Sequence, residues 1–304
     1  MGNINSHLKR RRPSIKKIPE FDQMKSDQER QEKLIDFYLS TSIDSIDRQH
    51  MYHFLRAYIF QSNFSSPVED KLIEGGYKVL DIGCGAGTWL LDLSNKYENS
   101  HFVGVDIKPV YPHEIKPNNL EFIEADVING LSFHDNEFDF THIENMSYVF
   151  TSDQWDFVLS ELIRVTRPGG YIEVGDRRNG YVGEGPIFRK LTDAIWATYS
   201  NRGIDVKLLY NLDSKFALQP NIGKVHRVEK EFIVGPNGGK IGLVWQDMSI
   251  SYFKSEISSK ILSEQIEISE EEYKDMVEKL DNEFKQTSPE CVHVRYWAQK
   301  QLLE

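Results

Sequence analysis

Short apolar runs alternate with stretches of helical spacing along the middle of the chain. Residues 78–82 form an apolar run that ends in a glycine cluster, and residues 88–96 have helical spacing. Residues 101–106, 121–125 and 138–143 are three further β-rich runs, the last after the polar turn Asp135-Asn136-Glu137. Residues 155–165 read as an amphipathic helix. Pro168-Gly169-Gly170 then turns the chain into a fifth run, 171–175. Strands alternating with helices at this spacing predict βαβ units, hence an α/β fold with a parallel sheet covered on both faces.

The flanks carry more helix. Residues 21–39, 44–59 and 68–74 each show one apolar stripe, the last closed by Gly75-Gly76. Beyond Asp176, helices are predicted over 187–201, 241–255 and 270–285, a short element over 206–212, and strands over 225–234 and 292–297. Residues 1–19 lack apolar periodicity and contain two prolines, so they are expected to form a disordered basic tail. Residues 20–304 are expected to form one domain. Its parts are a helical cap (about 20–75), a ligand-binding core (about 76–180), and a lid with C-terminal strands (about 181–304).

Composition excludes several classes. With 39% hydrophobic and 27% charged residues the chain is neither fibrous nor wholly disordered. No stretch approaches the roughly 18 apolar residues of a membrane span, and no apolar core follows the basic start as in a secretory signal. Two cysteines, Cys84 and Cys291, cannot build a disulfide framework or a cysteine-rich zinc site, so a reducing, intracellular compartment is expected. The net charge of −11 is uneven: six basic residues against Glu20 give residues 1–20 a charge of +5, leaving −16 on the rest. That acidic body argues against nucleic-acid backbone binding.

Residues 79–88 carry the most information: Val79-Leu80-Asp81-Ile82-Gly83-Cys84-Gly85-Ala86-Gly87-Thr88. Strand, glycine turn and helix follow in that order, which lets backbone approach a ligand at the carboxyl end of a strand. Thr88 stands where the dinucleotide fingerprint needs its third glycine, which disfavours a nicotinamide cofactor. No Gly-Lys-Ser/Thr follows, which removes the P-loop. Asp106 ends the second strand, where a carboxylate can accept from both hydroxyls of a ribose. Asp126 follows the third strand and can accept from an adenine amino group. Asp81 ends the first and can hold a ligand ammonium. Each alone is an ordinary turn or helix cap; three carboxylates and a glycine turn on one sheet edge are a ligand site.

In these residues the chain resembles the class I S-adenosylmethionine-dependent methyltransferases. Asp81–Gly87 is similar to their first motif, Asp106 to their ribose-binding acid and Asp126 to the acid beside adenine. Phe138-Asp139-Phe140 and Arg167-Pro168-Gly169-Gly170 are similar to the entries of their fourth and fifth strands. The likeness is strong over residues 75–180. A narrower likeness is to a fungal group that includes the velvet-complex (LaeA-like) regulatory methyltransferases. It rests on Asp47-Arg48-Gln49-His50, Trp89 and Phe140-Thr141-His142-Ile143. The resemblance implies S-adenosyl-L-methionine as cofactor, held by Asp81, Gly83, Gly85, Gly87, Asp106 and Asp126. It also implies a Rossmann-like seven-stranded sheet whose last strand is antiparallel, with an N-terminal helical cap and a lid between strands five and six.

Methyl transfer from a sulfonium is a displacement whose leaving group departs neutral, so alignment and exclusion of water suffice unless the nucleophile must lose a proton. His142 and Glu144, closing the fourth strand, are the candidate catalytic residues. His142 is the natural base by its ordinary pKa, with a hydrogen-bonded core histidine as the alternative. Asp139 and Asp176 are expected to be structural. Phe188, Trp196, Tyr199, Leu208 and Tyr210 could line an apolar pocket or simply fill core. Arg48 and His50 could reach cofactor or acceptor, or face solvent. His50 and His53, without a carboxylate partner in sequence, do not make a metal site. The expected acceptor is a small molecule. The alternatives are a protein acceptor, or a cofactor-binding regulator that works through a protein partner with little or no turnover.

Met1-Gly2-Asn3-Ile4-Asn5-Ser6 fits the N-myristoylation pattern, with Gly2 as acceptor, and the basic run Lys9–Arg12 with Lys16 and Lys17 supplies the second signal for peripheral membrane contact. A cytoplasmic, membrane-associated location is expected on that reading. A nuclear import signal is the alternative use of the same basic run.

Overall fold

The computed structural model describes residues 41–302. The expected helix over 21–39, the basic tail and the acylation pattern at Gly2 lie outside the described residues. Seven strands make one sheet: β1 Lys78–Ile82, β2 His101–Asp106, β3 Leu120–Glu124, β4 Phe138–Glu144, β5 Thr166–Arg177, β6 His226–Ile233 and β7 Glu290–Gln299. Their spatial order is β3-β2-β1-β4-β5-β7-β6. Neighbours from β3 through β5 pair in parallel, and β7 runs antiparallel to both β5 and β6. The order reverses beside β1, the point at which open α/β sheets bind ligands at the carboxyl ends of their strands.

Helices cover the sheet. α1 (Ile43–Phe60) starts at Ser42, whose hydroxyl accepts from the Ser45 N–H. α2 (Glu69–Glu74) precedes β1, and α3 (Thr88–Lys96) follows it directly from the glycine turn. α4 (Ser152–Val165) opens with a reciprocal Thr151–Gln154 capping box. Between β5 and β6 lie α5 (Pro186–Ser200), a 3-10 turn at Leu208–Tyr210, and α6 (Leu212–Ala217). Four helices separate β6 from β7: α7 (Gly239–Lys254), α8 (Glu256–Ile266), α9 (Glu270–Glu278) and α10 (Leu280–Gln286).

Two departures from the sequence reading have clear causes. Tyr273, Val277, Leu280 and Phe284 all bury in one cluster, and their spacing is continuous, so residues 270–285 read as a single helix although the chain breaks at Lys279. Residues 256–266 gave no helix signal because Ser258, Ser259 and Ser263 take buried positions where apolar residues would mark the stripe.

The two faces of the central strands differ in chemistry. Side chains of registered neighbours share a face. Leu80, Ile82, Ile143, Ile172, Val174, Val294 and Tyr296 lie on one, packed with Trp155, Val158, Leu159 and Leu162 of α4. The other face carries Asp81, His142, Glu144, Glu173, Arg177, His293 and Arg295. A separate apolar cluster (Leu55, Phe188, Leu191, Trp245, Phe253, Leu262 and Tyr273 among its members) joins α1 to the helices that follow β5 and β6. Cap and lid thus share one core above the ionic face.

Candidate functional site

The glycine turn is held in conformations that only glycine adopts readily: φ is +70° at Gly83, +52° at Gly85 and +71° at Gly87. The space left by the absent side chains is used closely. Met146 covers Gly83, where a Cβ would lie 2.7 Å from its sulfur, and the Gln49 side chain covers Gly85. The Ala86 N–H donates to Gln49 Oε1 at 2.9 Å, so α1 is tied to the turn. The backbone from Gly83 to Ala86 nevertheless forms one wall of a cavity of about 430 Å³.

Asp106 stands on the same wall. Its Oδ2 accepts from the Gly85 N–H at 2.8 Å and its Oδ1 from the Lys108 N–H at 2.8 Å. Burial raises its pKa, and these two backbone donors work against the rise. Each oxygen keeps a lone pair for a further donor. Asp81 also lines the cavity, but it is paired with His142: Nδ1 of the ring lies 2.8 Å from Oδ1 of the carboxyl. Asp126 lies off the cavity wall. Its side chain accepts from the Ile128 N–H at 3.2 Å and caps the 3-10 turn Val127–Asn129.

His142 and Glu144 lie on the cavity floor. The His142 ring stacks on Trp89 with centroids 4.0 Å apart and planes 8° from parallel. Its Nε2 has no open surface and no hydrogen bond, and lies 3.4 Å from Glu144 Oε2. Burial lowers its pKa to about 3, Glu173 opposing and Arg56 and Arg295 reinforcing the fall. A ring so weakly basic and so covered is a poor proton acceptor at neutral pH. Glu144 is paired with Arg56 of α1, and Arg295 Nε lies 3.7 Å away.

The remaining wall is aromatic. Tyr52 from α1, Tyr148, Tyr181, Trp196 and Tyr199, and Trp245 and Tyr252 from α7 all face the cavity. Phe188, Trp196 and Tyr199 line it as the sequence suggested. Leu208 instead fills the sheet core, and Tyr210 is half exposed with its hydroxyl on the Asn179 carbonyl. Asp139 is structural, accepting from the Lys78 N–H at 2.6 Å and paired with Arg167. Asp176 is likewise occupied, accepting from the Ser147 backbone at 2.8 Å and its hydroxyl at 2.6 Å. His50 bonds Thr88 and His53 bonds Asp92, so the two histidines serve separate partners. Arg48 lines the cavity and donates to Ser251 at 3.2 Å.

Sequence reasoning missed Gln49 as a reader of the glycine turn, and it missed Arg56, Arg177 and Arg295. The available signal for the arginines was their position: Arg295 interrupts a largely apolar strand and Arg177 closes another.

Comparison with known proteins agrees with this geometry. Residues 79–170 match the Methyltransf_25 family, a methyltransferase domain. The N-methyltransferase verN of Clonostachys rogersoniana is 26% identical over 239 residues, which span 73% of this chain and 78% of that protein. The secondary metabolism regulator laeA of Aspergillus niger is 30% identical over 97 residues, which span 32% of this chain and only 25% of laeA. The solved structure of YcgJ from Bacillus subtilis shares the fold, with a TM-score of 0.50 at 16% identity over 78% of this chain and 97% of YcgJ.

Sheet order, glycine turn and the acid that follows it define a class I S-adenosylmethionine-dependent methyltransferase. Within that class verN and the laeA regulators are among the fungal proteins to which the chain is similar. The residues present fit the adenosyl donor of the class. Backbone from Gly83 to Ala86 lines the cavity beside the Met146 and Gln49 side chains, and Asp106 keeps acceptor capacity for a diol.

Proposed function

We propose that this chain methylates a small planar acceptor that lies wholly inside the cavity. The observation that carries this reading is the continuity of that cavity. One space is bounded by the glycine turn and Asp106 at one end and by aromatic side chains of α1, α5 and α7 at the other. A protein acceptor would need an open groove; here cap and lid share a core across the top.

When bound, S-adenosyl-L-methionine supplies an electrophilic methyl group on a sulfonium. The backbone of Gly83 and Gly85 would border the cofactor beside the Met146 and Gln49 side chains that pack there, with Gly87 shaping the turn into α3. Asp106 would accept from the ribose hydroxyls. Asp81, held by His142, would meet a ligand ammonium, whereas Asp126, capping its own turn off the cavity wall, would not touch the adenine as the sequence suggested. His142 and Glu144 position rather than deprotonate: they fix the cavity floor through Trp89 and Arg56. The chain's contribution to rate is then alignment and exclusion of water by the aromatic wall.

Calorimetric titration of wild type and Asp106→Ala with S-adenosylmethionine tests the pose. Loss of hydrogen bonds to a buried carboxylate should cost about 1.5–3 kcal/mol, roughly ten- to a hundredfold in affinity. Equal affinities would remove the pose. Release of S-adenosylhomocysteine across a panel of acceptors tests the activity. Rates for His142→Asn should fall while cofactor affinity is kept, and the wild-type pH–rate profile should lack a histidine limb near pH 6.5.

A second reading is favoured by the likeness to laeA and by an exposed apolar stripe on α1, formed by Met51, Phe54 and Tyr58. On that reading the chain is a regulator that binds a protein partner through α1. Cofactor binding without turnover on any acceptor, lost partner capture in Phe54→Asp, and no effect of that substitution on cofactor affinity would establish it.

A further inference from the structure

Arg177 ends β5 beside the cavity and lines it. Alternation along the strand sends its neighbour Asp176 to the opposite face, where Ser147 occupies that carboxylate. The other two arginines of this face have carboxylate partners. Arg56 is paired with Glu144, and Arg295 Nε lies 3.7 Å from both Glu144 and Glu173. Arg177 has none. Among the described residues no carboxylate lies within ion-pair distance of its guanidinium, and its one side-chain hydrogen bond runs from Nη1 to the Arg178 carbonyl at 3.4 Å.

A guanidinium stays charged and carries five N–H donors in a flat fork. Tyr148 and Tyr181 hold Arg177 by their rings, with centroids 5.8 and 5.2 Å from its central carbon. Ring contacts of this kind leave the N–H edge free. A desolvated cation with unfilled donors is costly unless an anion completes it. Among the described residues no group does so, and the open space next to it is the acceptor end of the cavity.

We propose that Arg177 is the receptor for a carboxylate on the methyl acceptor, so that the acceptor is a planar organic acid whose ring lies among Tyr52, Tyr148, Tyr181 and Trp196. This rests on the small-acceptor reading above. The guanidinium of Arg177 matches one negative charge, and its fork matches the two oxygens of a carboxylate. The aromatic wall suits a flat body.

The test uses the full chain and two probes that differ only in charge, 2-naphthoate and 2-naphthamide, titrated calorimetrically with and without saturating S-adenosylhomocysteine. The wild type should bind the acid at least tenfold more tightly than the amide. Arg177→Met should bring the two within twofold while binding S-adenosylhomocysteine as the wild type does, and Arg177→Lys should keep an intermediate preference. Arg48→Gln, which removes the cation beside Ser251, should leave the preference intact, and the reduced preference of Arg177→Lys decides the matter if Arg177→Met does not fold. Equal wild-type affinities, an acid preference that survives Arg177→Met, or one abolished by Arg48→Gln would each overturn the assignment. Acid preference without any S-adenosylhomocysteine binding would keep Arg177 as an anion receptor and overturn the methyl-transfer reading. Cofactor binding without acid preference would do the reverse.

Discussion

His142 is clamped between two neighbours of different chemistry: its ring lies flat on Trp89, and its Nδ1 meets the carboxyl of Asp81 at 2.8 Å. Three adjacent elements, β1, β4 and α3, converge there, so the ring reports on the assembly of the floor. Burial keeps it neutral, with a pKa of about 3. Unfolded, the same side chain takes up a proton near pH 6.5. Between those values the unfolded state binds more protons, so the stability owed to His142 is complete above about pH 6.5 and is lost as pH falls toward 3. The slope is at most about 1.4 kcal/mol per pH unit. Asp81, raised by burial, acts in the opposite sense, because its folded form protonates first. Urea unfolding of wild type and His142→Gln from pH 7.5 to 4 isolates the ring. The stability difference should shrink as pH falls, and a difference flat across that range would contradict the buried neutral histidine.

Glycines with nearly the same φ should tolerate a methyl group very differently. Gly76 and Gly87 have φ of +73° and +71°. A Cβ on Gly76 meets nothing within 4 Å, whereas one on Gly87 lies 2.4 Å from the Phe122 ring, itself stacked on Tyr111 at 4.5 Å. Both alanine variants bear the left-handed penalty of about 1–2 kcal/mol. Gly87→Ala must also displace a packed ring, for about 1–3 kcal/mol more. Equal losses in the two unfolding curves would mean that Phe122 moves freely.

Much of this site could be read before the fold was seen, and the reasons are local. β1, β2 and α3 fall on the expected residues because the apolar runs end where Gly83 and Asp106 end them. Likeness to a family supplied the seven strands and the antiparallel last one, whereas the strand order and the meeting of Asp81 with His142 are features of the fold that no spacing predicts. The ionic face was not legible. Glu173 interrupts a strand that otherwise reads as apolar, and its partners come from more than 100 residues away in Ser65, Ser66 and Arg295. Gln49 and Arg56 carried no signal of their roles, because nothing in the sequence of α1 shows that a glycine turn lies beneath it. Buried serines hid α8, and an unbroken apolar spacing concealed the break at Lys279.

The basic N-terminal segment makes its own prediction. With Gly2 acylated, a protein made in a eukaryotic host should yield an N-terminal peptide heavier by one myristoyl group. It should also sediment with anionic vesicles at low salt and leave them as salt rises. Gly2→Ala should abolish both. An unacylated peptide would return the basic run Lys9–Arg12 to the nuclear-import reading, which imaging of a tagged chain would then decide.

Glu173 and Arg295 should be strongly coupled. The carboxylate is fully buried and accepts from the Ser65 N–H on both oxygens, from the Ser66 N–H at 2.7 Å and from the Ser66 hydroxyl at 2.7 Å. Arg295, equally buried, lies 3.7 Å away through Nε, donates from Nη1 to the Ser62 carbonyl at 3.0 Å and sits over Phe60. These contacts tie the loop after α1 to β5 and β7, so they hold the cap on the sheet. Removing one partner strands the other: Glu173→Ala should cost about 3–5 kcal/mol, and Arg295→Met a comparable amount. Removing both leaves no unpaired charge between them, so the double variant should lose less than the sum of the singles by about 1–3 kcal/mol. Urea unfolding of the four proteins gives that cycle directly. Additive losses would show that Arg295 is held by Glu144 and the Ser62 carbonyl instead, and that Glu173 serves the serine loop alone.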